Sequence, residues 1–209
     1  IKESFLARDS LNAIKQTSNL AYFELADGNT DRAIFILDSL SPVFKRLKDT
    51  SGLARTYVVK SQAYSLKGYP NLTLKAIQKA LQLYRTIEDK TNSAQCLLII
   101  GDQYQGEGSH TKAIEAFKEA MELYQTLDNK IFVAQTKSYI GDSHAELGNY
   151  SDAETYLNDA LILSKELNFN ANIARTYLNI GSLKMSEEKY DETIELLKEG
   201  LQRYQSLNI

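Results

Sequence analysis

A glycine returns every 40 residues along the chain, at Gly28, Gly68, Gly108 and Gly148, with Glu188 in the fifth slot. Other columns keep the same step. Ala54, Ala94, Ala134 and Ala174 form one, and Ser61, Gly101, Gly141 and Gly181 form another. Leu40, Ala80, Ala120, Ala160 and Gly200 make a third, and Leu47, Ile87, Leu127, Leu167 and Leu207 a fourth. Columns in one register mean an internal repeat, and a repeat of this length is a supersecondary unit that must stack on its neighbours to bury its apolar face. The 209 residues divide into about five units, near 14–53, 54–93, 94–133, 134–173 and 174–209, in a single array. Residues 1–13 read as the tail of a preceding unit, since "IKESFLAR" (1–8) aligns with "LQLYRTIE" (81–88) and Asp9 with Asp49 and Asp89. The expectation is a piece of a longer protein, or an array whose uncapped ends meet partners or a second copy.

Each unit predicts two helices. Leu97, Ile100 and Tyr104 sit at i, i+3 and i+7 in 94–106, one helical face, and the column glycine ends that helix as a residue tolerant of positive φ. Asp31, Asn71, Thr111, Ser151 and Asp191 follow the glycine slot by three residues and are the expected N-caps of the second helix. Ser151 and Glu154 have the spacing of a capping box. Over 112–127, Ala113, Phe117, Ala120, Tyr124 and Leu127 form the buried stripe. The stretches "KDTSG", "EDKTN", "DNKIF" and "NFNAN" read as short linkers between units. With only Pro42 and Pro70 to interrupt it, the chain is expected to be all-α, a right-handed solenoid of about five antiparallel helix pairs.

Function classes fall away on chemistry. A net charge of −3 leaves no basic footprint for nucleic acid. No apolar run approaches the roughly 20 residues that span a bilayer. One cysteine, Cys96, excludes an internal disulfide and a CxxC pair, and reads as a small buried hydrophobe. No phosphate-binding glycine loop occurs, so no cofactor is expected. His110 and His144 have no clustered carboxylate pair with them, so no metal is expected either. Asp142-Ser143-His144 looks like a catalytic trio, but successive residues on a helix point about 100° apart and cannot converge. In register His144 matches Tyr104, a packing slot, and His110 falls in the turn slot of Tyr150 and Tyr190. The expectation is a chain without enzymatic activity.

The unit resembles the tetratricopeptide repeat. "AQCLLIIGDQYQGEGSHTKAIEAFKEA" (94–120) carries the pattern: Gly101 at the helix contact, Tyr104 three residues on, Gly108 at the turn, and Ala113, Phe117 and Ala120 in the second helix. The resemblance covers nearly the whole chain and is strongest over 94–127 and 134–167. The usual proline after the second helix is missing, and the 40-residue period is longer than the common 34. Lengthened units look like those of bacterial peptide-responsive regulators, kinesin light chains and polarity scaffolds, and of arrays fused to bacterial signalling enzymes.

The resemblance implies that first helices line a concave groove, at about positions two, five, six, nine, twelve and thirteen from the column alanine. Those slots give Arg55, Val58, Val59 and Gln62, then Gln95, Leu98, Ile99, Asp102 and Gln105. They continue with Gln135, Ser138, Tyr139, Asp142 and Glu146, and with Arg175, Leu178, Asn179 and Ser182. Asp102, Asp142 and Glu146 make the middle acidic, with Lys15, Arg55 and Arg175 on basic flanks. Aspartates in the slots where chaperone-tail receptors of the family hold asparagine disfavour a terminal carboxylate there. An acidic middle prefers a cationic or amide-rich segment. The expected function is a scaffold binding a partner's peptide segment in the groove. The alternative is a sensory or dimerisation domain of a larger bacterial signalling protein, of histidine kinase or diguanylate cyclase type, pairing through its ends. The compartment is open between cytoplasm, slightly favoured, and periplasm.

Overall fold

The computed structural model describes residues 14, 16–186 and 188–205, in ten α-helices without a strand among them. Lys15, residues 1–13 and Leu207, which entered the readings above, lie outside the described residues. The helices are α1 (16–26), α2 (Thr30–Leu47), α3 (Thr50–Leu66), α4 (Pro70–Thr86) and α5 (Lys90–Gly106), followed by α6 (His110–Thr126), α7 (Lys130–Glu146), α8 (Tyr150–Glu166), α9 (Asn170–Ser186) and α10 (Tyr190–Gln205). First helices are α1, α3, α5, α7 and α9; second helices are the others. Contacts group the chain into two compact units, Ile1–Cys96 and Leu97–Ile209.

Every turn repeats one backbone device. Gly28, Gly68, Gly108 and Gly148 have φ between 70° and 81°, and Glu188 takes φ 61° in the same slot. The reciprocal turns, from second helix to next first helix, use Lys48, Glu88, Asp128 and Asn168 at φ 50–55°. These residues pay a conformational penalty that glycine avoids.

The helices start earlier than the sequence pattern predicts. Second helices begin at Thr30, Pro70, His110, Tyr150 and Tyr190, so Asp31, Asn71, Thr111, Ser151 and Asp191 lie one residue inside and are not caps. The left-handed residue turns the chain so tightly that the helix opens two residues later, and Pro70 with its fixed φ suits that first position. The Ser151–Glu154 capping box is therefore not formed; the Ser151 carbonyl accepts from Thr155 Oγ1 at 2.9 Å within the helix. Side-chain caps stand instead on first helices. Asp49 accepts from the Gly52 amide at 2.8 Å, Asp89 from Asn92 at 3.0 Å, and Asn129 from Phe132 at 3.4 Å. The predicted linkers shrink accordingly, because their last three residues are already helical.

In the unit Leu97–Ile209, glycines let paired helices touch. A Cβ on Gly101 would lie 2.3 Å from Phe117 Cε1, and one on Gly141 2.7 Å from Leu157 Cγ. Around them Ala113, Phe117, Ala120, Ile140, Ala153 and Leu157 are fully buried. In the unit Ile1–Cys96, Ala21, Leu37, Leu40, Phe44 and Val59 form the core between α1, α2 and α3. There Lys60 bridges to Asp38 at 2.5 Å.

Candidate functional site

Most of the predicted groove residues are exposed or half-buried, and two are not. Arg55, Gln62 and Gln95 are exposed on α3 and α5. Asp102, Glu146, Arg175 and Ser182 are exposed, and Gln105, Gln135, Tyr139, Asp142 and Asn179 are half-buried. Val59 and Ser138, read as groove positions, are instead 1% and 0% exposed. Their slots sit at the edge of the helix seam, where a short side chain is covered and a long one such as Tyr139 reaches out. Val59 and Ser138 therefore belong to the packing.

Four of the predicted groove residues converge. Asp102 and Gln105 on α5 and Asp142 and Glu146 on α7 line one open depression together with Gln103 and His110. Gly106 and Gly108 complete its lining, so the turn into α6 approaches without side chains. Gln105 Nε2 donates to Asp142 Oδ2, tying the two first helices at the depression. Burial pushes the Asp142 carboxyl above the usual carboxylate range and Glu146 adds to it, while the Gln105 hydrogen bond, His110 and Arg175 pull the other way. A carboxylate held uncomfortably in this way gains from an incoming cation or donor. His110 Nδ1 and Gln103 Oε1 are buried at the same place without a hydrogen-bond partner.

A second group stands beside it. Tyr139 on α7 stacks on Phe117 with centroids 5.2 Å apart, its hydroxyl accepts from Gln135 Nε2 at 2.9 Å, and the Arg175 guanidinium lies 5.0 Å from its centroid. Arg175 is thereby held near the acidic middle instead of standing apart as a basic flank. Asn179 and Ser182 sit further along α9 and do not line the depression. His110 and Gln103 were missed as site residues. The register gave no signal, because position 110 matches Pro70, Tyr150 and Tyr190, and what joins these residues to Asp142 is contact between helices.

The trio Asp142, Ser143 and His144 does not form an active site. Ser143 is fully buried, and His144, 9% exposed, stacks on Tyr156 at 5.6 Å on the other side of α7 from the depression's acids. Burial lowers its basicity, with Asp152 at 3.8 Å opposing and Lys118 adding to the fall. Cys96 is buried and its thiol is pushed up to about 12, so it is not a reactive nucleophile at neutral pH. Among the described residues no group of three or more histidines, cysteines or acids could hold a metal, and no helix is long and apolar enough to cross a membrane.

With this geometry in hand, comparison with known proteins decides the family. The model of the tetratricopeptide repeat matches residues 92–166 and again 132–206, more than half of the chain. The chain belongs to the tetratricopeptide repeat family. No curated protein matches the sequence. Solved structures share the repeat fold at low identity. BtubC (BKLC) from P. vanneervenii has a TM-score of 0.84 at 16% identity, over 99% of this chain and 87% of that one. The apo form of RapI has 0.84 at 15%, over 94% and 72%. A Rap protein complexed with competence and sporulation factor has 0.71 at 21%, over 90% and 52%. These likenesses establish the α-solenoid class of this tetratricopeptide repeat chain.

Proposed function

We propose that the chain is a non-enzymatic interaction scaffold whose first-helix face takes a peptide segment rich in cationic or amide side chains. The observation that carries the reading is the depression where Asp102, Asp142 and Glu146 meet with Gln103, Gln105 and His110. Three carboxylates and unpartnered amide and imidazole atoms accept and exchange hydrogen bonds with lysine, arginine, glutamine or asparagine side chains. Tyr139, with Gln135 and Arg175 around it, offers the adjoining flat surface, and Asn179 and Ser182 extend it along α9. Arg55, Gln62 and Gln95 provide the matching positions in the unit Ile1–Cys96. The Rap protein complexed with competence and sporulation factor has the same fold, which supports partner capture as a use of it.

Asp102→Lys combined with Asp142→Lys tests the reading. Capture of the partner in a pull-down is lost while the helical circular dichroism signal stays; unchanged capture removes the acids from the proposal.

A second reading, a sensory or dimerisation domain of a larger signalling protein, draws on α10. Tyr190, Ile194, Leu201 and Tyr204 are 45–62% exposed at spacings of about four, seven and three residues, an apolar stripe suited to a helix of a second copy.

A further inference from the structure

The first helix junction is built differently from the three that follow. In the 40-residue register Gly52 corresponds to Asn92, Phe132 and Asn172. Each of those places a side chain at the join between a second helix and the next first helix. Asn92 Nδ2 donates to Asp89 at 2.6 Å, Phe132 stacks on Tyr124 at 4.7 Å, and Asn172 Nδ2 donates to Ser164 at 2.8 Å. Gly52 places none, and the packing forbids one: a Cβ there would lie 2.4 Å from Phe44 Cε1 and 2.6 Å from Asp49 Oδ2. Beside this junction lies a cavity of about 200 Å³ between α1, α2 and α3, wholly within the unit Ile1–Cys96.

The walls of this cavity have a polarity that water alone does not explain. Leu37, Phe44 and Val59 supply an apolar floor. Arg55, Tyr22 and Asn19 supply donors. Arg55 pairs with no carboxylate among the described residues. Asp49, the one acid among the described residues of the lining, is engaged at the α3 N-terminus by the Gly52 amide. Burial raises the Tyr22 phenol, with Arg55 opposing, so its hydroxyl stays protonated and able to donate at neutral pH. With the Asp49 charge held against the amides of the α3 N-terminus, the Arg55 cation, the neutral donors and the apolar floor match a single negative charge on an apolar body. Arginine presents a planar fork that fits a carboxylate. The volume lies below the roughly 300–1,000 Å³ of pockets for drug-sized ligands, and suits a body the size of one aliphatic side chain.

We propose that this cavity binds a small free monocarboxylic acid with a compact apolar body, its carboxylate on Arg55 and Tyr22 and its body on Leu37, Phe44 and Val59. The proposal shares Arg55 with the peptide reading but does not rest on the Asp102–Asp142 depression, which none of its residues lines. A carboxylate of this kind also ends every peptide with an apolar last residue, so the probes separate the two sources.

Isothermal titration of the chain with N-acetyl-leucine, its amide, and an acetylated Ala-Ala-Leu tripeptide provides the test. The acid binds at least about tenfold more tightly than the amide, a gap of about 1.4 kcal/mol. Arg55→Gln abolishes that difference, Ser18→Leu closes the cavity and abolishes binding with helicity retained, and the Asp102→Lys/Asp142→Lys protein binds as the parent does. Equal or tighter binding of the free acid than of the tripeptide supports the proposal as stated. Clearly tighter binding of the tripeptide overturns the free acid as the occupant and assigns the cavity to a peptide end. No binding of either, equal binding of acid and amide, or indifference to Arg55→Gln overturns the site itself.

Discussion

Between α6 and α7, Tyr124 stacks on Phe132 with an interplanar angle of 12°. Forty residues on, between α8 and α9, the same two slots hold Ser164 and Asn172, fully buried and joined by a hydrogen bond. Ser138, which replaces Leu98 in register, accepts a second bond from Asn172 at 3.2 Å and exchanges one with Thr176 at 2.9 Å. Ser164 donates to the Ala160 carbonyl at 2.6 Å and Thr176 to the Asn172 carbonyl at 2.7 Å, so the hydroxyls have partners inside the seam. The backbone register is one and the same, yet one joint is an aromatic stack and the other a polar network. The repeat therefore dictates where helices meet and leaves open what fills the join. An aromatic stack tolerates small shifts, whereas a buried network is costly as soon as one member loses its partner. The Gly52 junction is a third solution, in which the Phe44 ring closes directly on bare backbone.

The largest effect on that contrast comes from Asn172→Phe alone. A ring in the polar seam strands the Ser138 and Ser164 hydroxyls against an apolar face and overpacks the join, costing about 2–4 kcal/mol in urea unfolding. Adding Ser164→Tyr and Ser138→Leu installs the chemistry of the earlier joint and recovers most of the loss. A triple variant no more stable than the single one means that the two joints differ in geometry as well as in filling.

A smaller effect separates His144 from Tyr104, which share another slot. Burial holds the His144 imidazole below its ordinary pKa in the folded chain. The unfolded chain therefore binds a proton first as pH falls, so this stability is complete above about 6.5 and is lost as pH drops through the lowered folded value. His144→Tyr makes the melting temperature fall less between about pH 7.5 and about pH 5 than in the parent. Parallel curves for the two proteins remove His144 as a source of acid sensitivity.

Most of the fold was legible because packing columns repeat. Gly101, Ala113, Phe117 and Ala120 announce a close helix pair, and the glycine slots announce left-handed turns, since both depend on local backbone and side-chain size. The cap positions were displaced because Asp31 and Ser151 favour a helix start without fixing which residue opens it. The left-handed residue before them does fix it. Asp102, Gln105, Asp142 and Glu146 were expected as groove positions from what the family resemblance implies, laid on the repeat register. His110, Gln103 and the Gly52 cavity were not, because each depends on which side chains neighbouring helices bring to the same place. Phe44 leaves no room for a Cβ at residue 52, and no spacing along the chain records that.

The acidic depression on α5 and α7 is the feature on which the functional account rests. Backbone amide chemical shifts, followed as an alternating lysine–glutamine peptide is added, address it at residue level. The account predicts saturable shifts concentrated at Asp102, Gln105, Asp142 and Glu146 and extending to Tyr139, with α6 and α8 little affected. Shifts that gather on α6 and α8, or none at saturating peptide, contradict it.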